Sequence, residues 1–398
     1  MRRQDGPILA DVGTSTVTGV RAPGAPELAA ASGYVGHPAL QTVALATLDT
    51  AALGSHYART GLLYQPPDVV DDTFTDPLGI EWLWAEGSAG LLTHPLEEAD
   101  YLAVAKYPRP AWPDLVQIPS APPAGGEPPL VVADAPVSGL LETCFGLRGS
   151  WQFMMDITEN WRVANALLDW ALETVASAYE RMLSALPAEP DMVLYGDDYG
   201  YQGGMFLSDL DFRNFIRPRL KTLFSQIRRF TRAPICFHCC GAVTRILPDF
   251  ADLGTGLLNL QYDARGMELE HVRKAVPSDM VLHGYTDLLA LGTALRDGDR
   301  KSVAILTDEL ARSAPAVAAP VDCLATEEEL LATARGARFV RALSQEDLAE
   351  IRRLGPVAGI LDRAAREAGE HGHERPWGIP PTATRMSGGT GTGPLLVR

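Results

Sequence analysis

The run Pro234-Ile235-Cys236-Phe237-His238-Cys239-Cys240-Gly241 reads as a short buried β-strand that stops at a glycine. Successive side chains on a strand point to opposite faces. Cys236, His238 and Cys240 are therefore expected on one face, and Phe237 and Cys239 on the other. An imidazole and a thiol two positions apart, held at the end of a rigid strand, are ligand types that zinc prefers. Core packing is the competing reading, because free cysteine is among the most buried residue types. Cys236 shares the inward face one layer deeper and reads as packing. Cys239 is expected to face surrounding helices, and Cys144 has no partner that suggests chemistry.

The same punctuation recurs along the chain. Leu130-Val-Val-Ala-Asp134 opens a series of short apolar runs. Asp191-Met-Val-Leu-Tyr-Gly196 ends in Asp197-Asp198, Leu257-Leu-Asn-Leu-Gln261 runs into Tyr262-Asp263, and Met280-Val-Leu-His283 runs into Gly284-Tyr-Thr-Asp287. Helical spacing fills the intervals. In the stretch 151–186, Ile157, Trp161, Ala164, Leu168, Leu172, Val175 and Tyr179 recur every three or four residues. Further helices are expected over 208–230, 243–253, 268–276, 299–313 and 327–335, with a short element at Val321-Asp-Cys-Leu324. Short strands alternating with longer helices imply a parallel α/β sheet. No G-x-G-x-x-G follows the first strand and no Walker sequence is present, which removes support for a nucleotide-binding doubly wound sheet. The expected fold is a (β/α)8 TIM barrel with an irregular N-terminal extension. Chemistry on such a barrel sits at the carboxyl ends of the strands.

The organisation expected from this pattern is an N-terminal segment, 1–129, packing on the barrel. The barrel itself spans 130–345, a helical segment spans 346–376, and 377–398 forms a disordered, glycine-rich tail. Ala121-Pro-Pro-Ala-Gly-Gly-Glu-Pro-Pro129 is a breaker-rich connector. The 398 residues carry a net charge of −16, which argues against nucleic acid as a partner. No apolar run approaches the roughly 20 residues that span a bilayer, and the start of the chain does not read as a signal peptide. Of five cysteines, three crowd into 236–240. Reduced thiols and a cytoplasmic location are the better reading than a disulfide framework.

Gly196-Asp-Asp-Tyr-Gly200, then Ser208-x-x-x-Phe212-Arg-x-Phe215-Ile-x-Pro218-Arg-Leu220, then Phe237-His-Cys-Cys-Gly241 follow one another along the chain. Taken in that order, these signatures resemble the uroporphyrinogen decarboxylase superfamily. Gly266-Met267 and His283-Gly-Tyr-Thr-Asp287 continue the series, so the resemblance covers roughly 130–345. It implies a (β/α)8 barrel with its active site at the mouth. One branch of the superfamily decarboxylates porphyrinogen acetate side chains without metal. The other contains zinc-dependent methyltransferases that move a methyl group between a corrinoid and a thiol, with a His-x-Cys pair and a distant cysteine on zinc. Those ligands map to His238, Cys240 and Cys323.

The arginine-rich N-terminal signature of the decarboxylases has no counterpart here. Asp71-Asp-Thr-Phe-Thr-Asp76-Pro-Leu-Gly79 resembles methyltransferase-like members better. The expectation is a zinc methyltransferase, with decarboxylation as the alternative and a repurposed small-molecule-binding barrel as a third reading. Asp197, Asp198 and His283 are the expected catalytic residues. For the two aspartates, zinc ligation, support of His238 or substrate contact competes with plain turn capping. A satisfied core histidine competes for His283. The chain has no D-x-H-x-x-G corrinoid loop, so a corrinoid would come free or on a separate protein. The cation-rich helix from Arg213 to Arg232 reads as a solvated face.

Overall fold

The computed structural model describes residues 8–10, 57–62, 73–85, 88–112, 116–117, 129–135, 137–319 and 327–370. Eight strands carry the architecture: β1 (Ile8–Ala10), β2 (Tyr57–Leu62), β3 (Leu130–Asp134), β4 (Met192–Gly196), β5 (Ile235–Cys239), β6 (Leu257–Leu260), β7 (Val281–Asp287) and β8 (Ala316–Ala319). All their mutual pairings are parallel, in the order β1-β8-β7-β6-β5-β4-β3-β2. That is the cyclic order of an eight-stranded barrel, with its first and second strands as the end members. A short strand, Val116–Gln117, adds antiparallel to β2.

The apolar packing shows how the sheet curves. Leu9, Tyr57, Val132, Met192, Leu194, Cys236, Leu257, Val281 and Val317 fall in one cluster. Every one of the eight strands contributes to it, so the sheet wraps around its own inner face. The opposite faces carry Tyr195, Phe237 and Cys239, which pack outward with Phe212, Phe224 and Phe250 from the surrounding helices. Phe237 stacks on Phe250 with ring centroids 4.3 Å apart. Burial on both faces accounts for near-continuous apolar runs such as Met192-Val-Leu-Tyr195 in β4.

The helices alternate with these strands. α1 (Leu140–Arg148) comes after β3, and α2 (Trp161–Ala185) lies between β3 and β4 in the chain. α3 (Leu288–Asp297) follows β7, and α4 (Glu327–Arg341) follows β8. α3 and α4 cross with no room for a side chain: a Cβ on Gly292 would lie 1.6 Å from the carbonyl oxygen of Ala332. No helix among the described residues is long and apolar enough to cross a membrane.

The structure changes two expectations and adds a strand that the sequence reading missed. The sheet begins well before residue 130, because β1 and β2 come from the segment expected only to pack on the barrel. Three residues of β1, and a β2 that carries Arg59, Thr60 and Gly61, gave no apolar run to read. The helix expected over 151–186 breaks at Asn160 into Ser150–Glu159 and α2. The eighth strand is Ala316-Val-Ala-Ala319, whose alanines between two prolines carry little β-signal. Val321–Leu324, with Cys323, and the expected tail over 377–398 lie outside the described residues.

Candidate metal centre

The carboxyl ends of β4 and β5 meet through a backbone approach that only glycine permits. Gly241 has φ +89°, and a Cβ there would fall 2.2 Å from the carbonyl carbon of Gly200. Ala242 N–H donates to the Tyr201 carbonyl at 2.9 Å, and Gly241 N–H donates to Gln261 Oε1 at 3.0 Å. The loops after β4, β5 and β6 are thus tied together.

Three donor atoms converge on this frame. Asp198, His238 and Cys240 each offer one ligand atom, and the three lie within 4.8 Å of one another. His238 Nε2 is 3.5 Å from Cys240 Sγ and 3.6 Å from Asp198 Oδ1. Tetrahedral zinc, with Zn–S of about 2.3 Å and Zn–N or Zn–O of about 2.0–2.2 Å, separates an N/S pair by about 3.6 Å and an N/O pair by about 3.4 Å. The donor types fit zinc, and so do the two separations from His238 Nε2. All three residues are half-buried, so the cluster is reachable from solvent. Their orientation is also fixed. Asp198 Oδ1 accepts the Cys240 backbone N–H at 2.6 Å, and His238 Nδ1 is 2.5 Å from Asn259 Oδ1.

The period-two reading of the strand holds. Cys236 faces the barrel interior, and Cys239 faces the helices, where its sulfur accepts the Tyr199 N–H at 3.4 Å. Of the three expected catalytic residues, only Asp198 joins the donor cluster. Asp197 points the other way, as alternation along an extended chain dictates. It is fully buried and accepts the N–H groups of Leu141 and Glu142 and the hydroxyls of Tyr195 and Tyr199. It therefore serves as a remote cap for α1, whose own cap residue, Gly139, has no side chain to offer. Burial raises the Asp197 carboxyl to about 6, against the opposing pull of those hydrogen bonds.

His283 is fully buried and meets Asn259 rather than the cluster. Asp287 caps α3 through Leu289 N–H at 2.9 Å. Asp76 closes a turn, accepting from Leu78, Ile80 and the Trp82 indole; Asp71 and Asp72 lie outside the described residues. The cation-rich helix is laced to acids: Arg213 to Asp249, Arg217 to Asp249 and Asp252, and Arg219 to Asp169.

Two neighbours of the cluster were not read from the sequence. Glu142, in the first turn of α1, has its carboxyl held well above the usual range by burial, then by the charges of Asp198 and Asp197. Asn259 sits mid-strand in Leu257-Leu-Asn-Leu260. A lone polar residue in an apolar run was the available signal, since a buried amide needs partners.

Residues 130–314 match the family model of uroporphyrinogen decarboxylase (URO-D). No curated protein matches the chain in sequence. Among solved structures, a methyltransferase from Methanosarcina mazei aligns with a TM-score of 0.51 at 17% identity, covering 82% of this chain and 94% of that one. At that identity the likeness speaks to the fold, and it agrees with the barrel derived from the strand order.

Proposed function

We propose that this chain, which belongs to the uroporphyrinogen decarboxylase superfamily, is a zinc-dependent methyltransferase that moves a methyl group between a corrinoid and a small thiol. The observation that carries the reading is the convergence of Asp198, His238 and Cys240 at the carboxyl ends of adjacent parallel strands. A cofactor-free decarboxylase has no use for a thiol, an imidazole and a carboxylate at ligand spacing. The M. mazei methyltransferase shares the fold and supports the same direction.

His238 Nε2 and Cys240 Sγ would hold the metal, with Cys323 as the third ligand that the family resemblance implies, and Asp198 Oδ1 would fill the fourth position until a substrate thiol takes it. A bound zinc ion would lower the pKa of that thiol, so that it reacts as thiolate. The corrinoid, free or on a separate protein, would bring or remove the methyl group. The chain's own residues keep the donors aligned: the Cys240 amide holds Asp198, and Asn259 holds His238. Three of the five cysteines crowd into 236–240, a spacing that suits reduced thiols in a cytoplasmic protein better than a disulfide framework.

Elemental analysis of the purified full chain tests this first. We expect about one zinc per chain, lost in His238→Ala and Cys240→Ser and retained in Cys239→Ser, whose sulfur faces the helices. The zinc-loaded chain should then demethylate a methylcorrinoid in the presence of small thiols. A chain that takes up no metal under reducing, zinc-supplemented conditions overturns the reading. Turnover of uroporphyrinogen by metal-free protein would put the decarboxylase in its place. Specific small-molecule binding with neither activity would point to a repurposed barrel.

A further inference from the structure

His238, Asn259 and His283 are register partners on three neighbouring strands, β5, β6 and β7. Their side chains form a continuous link. Asn259 Oδ1 is 2.5 Å from His238 Nδ1, while Asn259 Nδ2 is 2.9 Å from His283 Nδ1 and 3.3 Å from the His283 carbonyl oxygen. That carbonyl decides the polarity of the whole link. A carbonyl oxygen can only accept, so the end of the amide facing β7 must be the NH2 group. The end facing His238 is then the amide oxygen, which also only accepts, so His238 Nδ1 must carry the proton.

In a neutral imidazole the second nitrogen is then bare. Here it is Nε2, the atom that faces Asp198 Oδ1 and Cys240 Sγ. By the same logic His283 Nδ1 accepts and its Nε2 carries a proton. The backbone of β7 leaves room for this arrangement. Gly284 has φ +76°, and a Cβ there would sit 2.8 Å from Asn259 Nδ2. A side chain at that position would push the amide off its two partners.

We infer that Asn259 is a positioning residue that fixes His238 as its Nδ1–H tautomer and so selects Nε2 as the donor atom of the cluster. The His283 carbonyl sets the orientation of Asn259 in turn. The consequence for metal affinity rests on the proposed zinc site; the tautomer assignment does not. A partner on the far nitrogen of a ligating histidine fixes ring and tautomer, and its loss typically weakens metal binding about 10- to 100-fold.

The test is long-range 1H–15N correlation spectroscopy of the full, metal-free chain with labelled histidine at about pH 8, above the ordinary histidine range. His238 should show the Nδ1–H pattern in the unmodified protein. Asn259→Leu, similar in size but without the amide, should move His238 toward the Nε2–H form and weaken zinc binding by about 10- to 100-fold in a chelator competition. Asn259→Asp keeps an acceptor for His238 and should retain both the Nδ1–H pattern and most of the affinity. An Nε2–H pattern in the unmodified protein overturns the inference without any variant being needed. Retention of Nδ1–H and full affinity in Asn259→Leu overturns it too, while leaving the zinc site standing. The expected tautomer shift in a chain that binds no zinc would uphold the inference and sink the zinc reading.

Discussion

Asp198 Oδ1 accepts the backbone N–H of Cys240 at 2.6 Å, which fixes the acid after β4 beside the thiol after β5. The same oxygen faces His238 Nε2. One hydrogen bond therefore aligns a carboxylate and a thiol from two separate strand ends, beside an imidazole that Asn259 holds. The bond runs to backbone, so it depends on the shape of the loop rather than on a second side chain.

Asp198 can be separated into its two roles by substitution. Asp198→Asn keeps an acceptor for the Cys240 N–H and removes the charge. Asp198→Ala removes both. Zinc affinity should fall at least about tenfold in Asp198→Asn and further in Asp198→Ala. The melting temperature should change little, since the side chain is 31% exposed. Chelator competition and thermal melts of both variants check this. Unchanged affinity in Asp198→Ala would remove the carboxylate from the donor set.

Asp197 predicts a pH dependence of stability. Its folded-state pKa, about 6, lies above the unfolded value because burial penalises the charge. The folded chain therefore holds this proton more tightly than the unfolded chain. The contribution is full below the ordinary aspartate value of about 3.9 and is lost as pH rises through about 6. Denaturant titrations at pH 5 and pH 7 should show a fall in stability in the wild type that shrinks in Asp197→Asn. Asp197→Ala should cost about 2 kcal/mol or more at either pH, because it leaves buried hydroxyls and helix N–H groups without their acceptor. A neutral Asp197→Ala would mean that α1 needs no such cap.

The crossing of α3 and α4 should resist the smallest side chain. Alanine is worth about 1 kcal/mol more than glycine in an open helix. Here a Cβ on Gly292 meets the Ala332 carbonyl, and one on Gly336 would lie 2.4 Å from the Leu288 carbonyl oxygen. Gly292→Ala and Gly336→Ala should each destabilise by about 1–3 kcal/mol, read from the denaturant midpoint at constant slope. A stabilised variant would show that the two helices can separate without cost.

Much of the site was legible before the fold. Alternation along 234–241 placed His238 and Cys240 on one face and Cys239 on the other, and the Asp197-Asp198 pair was expected to split between faces. Both follow from the geometry of an extended chain, in which neighbours must diverge. The β/α alternation named the barrel for the same local reason. What stayed hidden was weakly patterned. β1 is three residues long, β2 is interrupted by Arg59, Thr60 and Gly61, and β8 is mostly alanine, so their place in the sheet comes from pairing rather than from their own sequence.

The sequence alone decided which side chains share a strand face, because that depends only on the separation of residues along the chain. It could not decide which strands lie side by side or in what register. Asn259 became the partner of His238, and Asp197 the cap of α1, only once β4, β5, β6 and β7 were aligned. A shift of one residue in any pairing would turn those groups to the opposite face. The packing of eight strands around one interior fixes that register, and with it the amide that orients the imidazole.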